Sequence, residues 1–149
     1  MIIVSACLLG ENCKYNGGNN ETEWVKELME DHTLCMVCPE CLGKLSTPRP
    51  KNEIQKDGSV KTEFGDDVTN AFEIGAKIAY TRAVVAAKSI GEEIEYAILK
   101  SKSPSCGRDE IYDGTFSGTV VNGDGKFAEL LKEKGIKIYT EKENLNERL

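Results

Sequence analysis

Apolar residues follow two rhythms along this chain. Residues 2–6 (Ile-Ile-Val-Ser-Ala) make a short β-branched run without helical spacing, which reads as a strand buried on both faces, as in a parallel sheet. From Glu21 to Asp31, Trp24, Val25, Leu28 and Met29 recur every three or four residues and predict an amphipathic helix. Thr33–Val37 predicts a second strand, with Cys38 at its carboxyl end. From Pro39 to Asp67 the periodicity fades, and Pro48, Pro50, Gly58 and Gly65 punctuate a stretch that reads as one long loop, a length usual for functional or mobile segments.

The helical rhythm returns over about 68–89, where Phe72, Ala76, Ala79, Ala83, Ala86 and Ile90 form a stripe of mostly small residues, and Gly91 reads as the C-cap. Tyr96–Leu99 predicts a third strand. Pro104 and Gly107 make Ser101–Gly107 a loop. Beyond a glycine-rich turn region (Tyr112–Gly118), the pattern predicts a short strand at Thr119–Val121, a helix at Lys126–Lys134, a strand at Ile136–Tyr139 and a polar tail helix. Strands alternating with helices predict an α/β fold over residues 1–149: a single-domain, doubly wound (Rossmann-like), mainly parallel sheet with helices on both faces. In such sheets ligands bind beyond the carboxyl ends of the strands. Cys7, Cys38 and Cys106 each follow a predicted strand, so three cysteines remote in sequence are expected in one crevice.

Composition narrows the classes. Of 149 residues 40% are hydrophobic and 30% charged, which excludes disordered and collagen-like chains. The formal net charge of −6 argues against a broad nucleic-acid-binding surface and favours a small-molecule substrate. The N-terminal run has no basic leader and is broken by Gly10 and Glu11, so no signal peptide or membrane span is expected, and a cytoplasmic location is.

Six cysteines in a reducing compartment point to a metal or catalytic role rather than to disulfides. The single histidine, His32, excludes Cys2His2 zinc sites and reads as a solvated residue at a helix end. Cys35, Cys38 and Cys41 have the C-x2-C-x2-C spacing of bacterial ferredoxins. Yet a strand ending at Val37 turns Cys35 into the sheet layers and leaves Cys38 beyond the end. Cys35 is then equally a small buried apolar residue, and Cys13 and Cys41 are extra ligands, spare thiols or inert loop residues. Two further readings stand beside an enzyme: a noncatalytic zinc- or iron–sulfur-binding module using Cys35, Cys38, Cys41 and one more thiol, and a thiol redox protein.

The ordered motifs Ser5–Gly10, Lys14–Gly17, Cys38-Pro-Glu40, Thr47–Pro50, Asp67–Thr69, Leu99-Lys100, Ser103–Gly107 and Tyr112–Gly118 resemble those of the thiouracil desulfidase family, over residues 2–139. The resemblance implies a [4Fe–4S] cluster held by three cysteines, matching Cys7, Cys38 and Cys106, with one iron open. An iron without a protein thiolate is a soft Lewis acid suited to a thiocarbonyl sulfur. The implied activity is non-redox removal of sulfur from 2- or 4-thiouracil, with hydrosulfide leaving from the cluster. Glu40 matches a catalytic glutamate of the family and, without a histidine nearby, is the natural base for water. Ser103 matches a serine acting beside it, with Ser101 and Ser105 as neighbours in the same loop. Arg49, stiffened by Pro48 and Pro50, either binds substrate or pairs with Glu53. Asp67 and Thr69 read as helix caps, and Gly123-Asp-Gly125 as a turn before a helix.

Overall fold

The computed structural model describes residues 1–148. Strand β1 (Ile2–Ser5) is buried along its length and runs into one 3-10 turn, Ala6–Leu9, closed by Gly10 at φ 95°. The helix expected over 21–31 is shorter, α1 (Glu23–Glu27), and tightens into a 3-10 turn at Leu28–Glu30. Trp24, Val25 and Leu28 bury, whereas Met29 stays 53% exposed and so offers no packing to extend the regular helix. Strand β2 (Leu34–Val37) follows, then the one-turn helix α2 (Pro39–Leu42), with Cys38 as N-cap and Pro39 in the first turn.

The expected loop over 39–67 is therefore structured. Besides α2 it contains an antiparallel hairpin, β3 (Asn52–Ile54) with β4 (Val60–Thr62). Elements of three or four residues span too little of either period to register as a pattern. The long helix α3 (Thr69–Ser89) buries Phe72, Gly75, Ala76, Ala79, Ala83 and Ala87. Its stripe ends on Ala87 rather than Ala86, and Ile90 is left half exposed. Gly91 follows at φ 70°, the left-handed conformation expected at the helix end. Asp67 Oδ1 accepts from Thr69 N–H and hydroxyl at the helix start. Then come β5 (Tyr96–Leu99), the hairpin of β6 (Glu110–Tyr112) and β7 (Val120–Asn122), α4 (Lys126–Glu133) and β8 (Ile138–Thr140). In place of the tail helix there is a 3-10 turn at Leu145–Arg148.

The main sheet has the order β2-β1-β5-β8, every pair parallel. Helices α3 and α4 cover one face, where Ile3, Val37, Ala97 and Leu99 meet the alanines of α3 and Phe127 and Leu131 of α4. The other face packs Ile2, Val4 and Ile98 against Trp24, Val25 and Leu28. The fold is thus a doubly wound, Rossmann-like α/β sheet with helices on both faces. No helix among the described residues is long and apolar enough to cross a membrane. The strand order reverses direction between β1 and β5, so their carboxyl ends open a crevice of the kind in which α/β proteins bind ligands.

Candidate active site

A cavity of about 420 Å³ lies at that crevice and is lined by Cys7, Cys38 and Cys106 together with Glu40, Arg49, Ser103 and Ser105. Three different strands deliver the cysteines: Cys7 stands in the turn after β1, Cys38 between β2 and α2, and Cys106 in the loop after β5. Close backbone packing fixes two of these positions. A Cβ on Gly75 of α3 would lie 1.9 Å from the Pro39 carbonyl oxygen, so only glycine lets α3 press against the segment that carries Cys38. At Gly125 a Cβ would meet the Ser105 carbonyl carbon and oxygen at 2.5 Å. The start of α4 grips that loop, with Phe127 and Ala128 N–H donating to Ser105 O at 2.8 and 3.1 Å and Lys126 N–H to Pro104 O at 3.0 Å.

Each outer cysteine meets a polar side chain. Asn20 Nδ2 lies 3.4 Å from Cys7 Sγ. Cys106, 4% exposed, has Ser105 Oγ at 3.6 Å and the Ser5 hydroxyl beside it. Burial pushes the Cys106 thiol up to about 12 and raises Cys7 as well, against the hydrogen bonds from these side chains. Cys38 is raised by its hydrogen-bonded contact with Cys13, with burial second. Cys38 raises Cys7 electrostatically, and both raise Cys106, so a nearby cation would favour ionised sulfur here.

Glu40 is held at both oxygens. Arg49 Nε donates to Oε1 at 3.1 Å, and the Ser105 hydroxyl donates to Oε2 at 3.0 Å. Ser103 Oγ stands 3.0 Å from Ser105 Oγ and accepts the N–H of Ser105 and of Cys106. With those donors on its lone pairs, the Ser103 hydroxyl directs its proton to Ser105, giving a chain Ser103, Ser105, Glu40. Ser105 is thus the direct neighbour of the carboxylate, which its place in the motif did not single out. Arg49 pairs with Glu40 and not with Glu53. Its Nη2 also donates to Cys13 O at 2.7 Å and its Nη1 to Thr47 Oγ1 at 2.9 Å, which leaves it committed to the site's framework rather than to substrate. Glu53 instead accepts Gly114 and Phe116 N–H, both at 3.0 Å, fastening the glycine-rich turn over the cavity.

The remaining cysteines divide. Cys35 packs against the α3 face of the sheet and lies outside the cavity, so the C-x2-C-x2-C set does not gather at one point. Cys41 lies against Thr47 Oγ1 at 3.6 Å, whereas Cys13 does line the cavity. Among the described residues no three of His, Cys, Asp and Glu come close enough to hold a single metal ion. A cubane, by contrast, distributes its thiolates over separate irons. His32 is at the surface beside Asp31. Two contacts had no signal in the sequence: Asn20 on Cys7, and Glu141 beyond β8, which accepts from Ser101 N–H at 2.7 Å and pairs with Lys100 at 3.2 Å. Although the chain is acidic, its cavity is cationic, with Lys14, Arg49, Lys51, Lys100 and Lys102 against Glu40 and Glu53.

Known proteins resemble this chain along nearly its whole length. YbbK of Bacillus subtilis (strain 168), itself uncharacterized, is 40% identical, with 96% of this chain and 97% of YbbK aligned. A solved structure described as the [4Fe–4S]-dependent thiouracil desulfidase TudS superposes with a TM-score of 0.83 at 40% identity, over 98% of this chain and 93% of that one. Residues 2–143 match the family model for 2-thiouracil desulfurase, and the chain belongs to that family.

Proposed function

We propose that this chain is a [4Fe–4S]-dependent thiouracil desulfidase, which converts a thiolated pyrimidine of the 2- or 4-thiouracil type and water into uracil and hydrosulfide without electron transfer. The observation that carries the reading is the convergence of Cys7, Cys38 and Cys106 on one cavity beside a doubly hydrogen-bonded Glu40. The donor set fits the cofactor. Three thiols gathered at one cavity, Cys106 buried and Cys7 and Cys38 partly so, suit a cationic iron core, and the polar side chains of Asn20, Ser5 and Ser105 favour the ionised form of Cys7 and Cys106. A cluster held by three thiolates supplies one iron without a protein ligand, a soft Lewis acid for the thiocarbonyl sulfur.

The chain's own groups do the rest. Glu40 accepts a proton from the water that attacks the carbon bearing sulfur, and Arg49 keeps the carboxylate oriented for that task. Ser103 donates to Ser105 and Ser105 to Glu40, so this hydroxyl chain orients the carboxylate, and the proton that Glu40 takes from water passes to the departing sulfur. The carbon–sulfur bond breaks, a carbon–oxygen bond forms, and sulfur leaves with its electron pair as hydrosulfide.

Anaerobic reconstitution tests this. The loaded protein should absorb at about 400 nm, carry about four irons per chain and release hydrosulfide from 2- or 4-thiouracil. Serine at Cys7, Cys38 or Cys106 should abolish loading, whereas serine at Cys13, Cys35 or Cys41 should not. Glu40→Gln should keep the cluster and lose turnover by roughly a hundredfold or more. A cluster with cysteine sulfur on all four irons would overturn the reading, because substrate would have no iron to bind.

A further inference from the structure

Among the described residues two buried side-chain polar atoms have no hydrogen-bond partner, Asn52 Oδ1 and Arg108 Nε. The arginine nitrogen has an ionic neighbour, Asp109 at 3.4 Å, and lies outside the cavity. Asn52 is different. It lines the cavity, is 9% exposed, and stands in β3, where asparagine is an unfavoured residue. Its cross-strand neighbour Thr62 directs its hydroxyl oxygen to Phe64 and Asp66 N–H, at 3.2 and 3.1 Å. Burying an amide oxygen without a donor is unfavourable, and a ligand N–H in the adjoining cavity would supply one.

We propose that the Asn52 carboxamide reads the lactam edge of the pyrimidine, Oδ1 accepting the ring N3–H and Nδ2 donating to the ring carbonyl oxygen beside it. This inference rests on the desulfidase reading and names the group that selects the ring. The chemistry of the two substrates explains why one amide serves both. In 2-thiouracil N3–H lies between C2=S and C4=O, and in 4-thiouracil between C4=S and C2=O. Either isomer therefore offers sulfur on one side of N3 and, on the other, the same donor and acceptor pair that a carboxamide complements. N3-alkylated rings lose that pair, and the buried oxygen then has no partner.

Anaerobic titration of the cluster-loaded protein with uracil and with 3-methyluracil, followed calorimetrically, decides the point, alongside KM and kcat for 2-thiouracil. The parent should bind 3-methyluracil at least about thirtyfold more weakly than uracil. Asn52→Ala should bind uracil about tenfold more weakly, separate the two ligands by less than about threefold, and raise KM with kcat little changed. Asn52→Asp keeps the acceptor and should retain part of the discrimination; it replaces the alanine variant as the deciding protein if that one fails to load. Equal affinity of the parent for the two ligands, no measurable uracil binding, or undiminished discrimination in a loaded variant would overturn the assignment. If the loaded parent discriminates between the ligands yet releases no hydrosulfide from either thiouracil, the desulfidase reading fails and edge recognition stands. Turnover without discrimination removes Asn52 alone.

Discussion

Replacing Arg49 by methionine tests whether the guanidinium is what holds the candidate base. Methionine keeps an unbranched side chain of similar reach and removes the charge and every donor. The Arg49 and Glu40 side chains are 4% and 13% exposed, so the pair is largely shielded from water. Breaking a buried ion pair by removing one partner costs about 3–5 kcal/mol. Glu40 keeps the Ser105 hydroxyl and some solvent, which places the cost near the lower end, about 3 kcal/mol. For a chain of this length that corresponds to a fall in Tm of about 9 °C. The assay is urea unfolding of the cluster-free, fully reduced protein, in which the midpoint should fall and the slope should not change. Glu40→Gln in the Arg49→Met background leaves no carboxylate unpaired, so the double variant should recover about 2 kcal/mol relative to additivity. Arg49→Lys should rescue only in part, since an ammonium cannot serve Glu40, Cys13 O and Thr47 together from a planar fork. A cost for Arg49→Met below about 1 kcal/mol, or strict additivity in the cycle, would refute the argument that this pair positions the carboxylate.

Gly75→Ala should destabilise by about 3 kcal/mol, because the added methyl meets the Pro39 carbonyl at 1.9 Å; a urea midpoint equal to the parent's would contradict the packing of α3 on α2. Gly125→Ala, whose methyl meets the Ser105 backbone at 2.5 Å, should shift the Cys106 loop and lower the iron content after reconstitution, with retained full loading as the contrary result. Glu141 is held below the ordinary carboxylate range: burial opposes this, but Ser101 N–H, Lys100 and the Ser101 hydroxyl outweigh it. Its folded-state pKa lies below the unfolded value, so its stabilisation is present above about pH 4.5 and is lost as pH falls through the folded value. Thermal melts from about pH 6 down to about pH 3 should therefore show a shallower acid loss for Glu141→Gln, and parallel curves would count against that role.

The sheet was legible in the sequence because buried parallel strands are continuous apolar runs, and Ile2-Ile3-Val4 and Ala97-Ile98-Leu99 are such runs. Once those strands were placed, Cys7, Cys38 and Cys106 followed to one end of the sheet by topology alone. The hairpin of β3 and β4 was not legible. β4 alternates over three residues only, and in β3 the two polar cavity residues, Asn52 and Glu53, leave Ile54 as the single apolar position. The partner of Arg49 is hidden in the sequence for a related reason. Between Pro48 and Pro50 the backbone direction is fixed, but which carboxylate it reaches depends on α2, a single helical turn with no periodicity to detect. The motif does not separate Ser105 from Ser103, because it gives order along the chain, whereas contact with Glu40 comes from the turn in which Ser103 accepts two N–H groups and Ser105 is turned toward the carboxylate.

The buried Cys106 thiol also ties the site to pH through the stability of the protein without its cluster. Burial lifts the Cys106 thiol from an ordinary 9 to about 12 in the folded chain. A pKa raised on folding means that the folded state holds the proton more tightly than the unfolded state does. The associated stability is complete below about pH 9 and declines as pH rises toward 12, by up to ~1.4 kcal/mol per pH unit for this one thiol. Lysines and tyrosines titrate in the same window, so the informative quantity is a difference between proteins. Cluster-free Cys106→Ala, kept reduced under anaerobic conditions, should lose less stability than the parent between pH 9 and 11, although alanine leaves a small cavity and lowers the curve as a whole. The loaded parent should likewise lose less if Cys106 is a cluster ligand as proposed, because a sulfur bound to iron would have no further proton to release. Superimposable alkaline slopes for the parent and Cys106→Ala would mean that this thiol is as exposed to solvent in the folded chain as in the unfolded one. A wall of the cavity would then be open where the fold places it between β5 and α4.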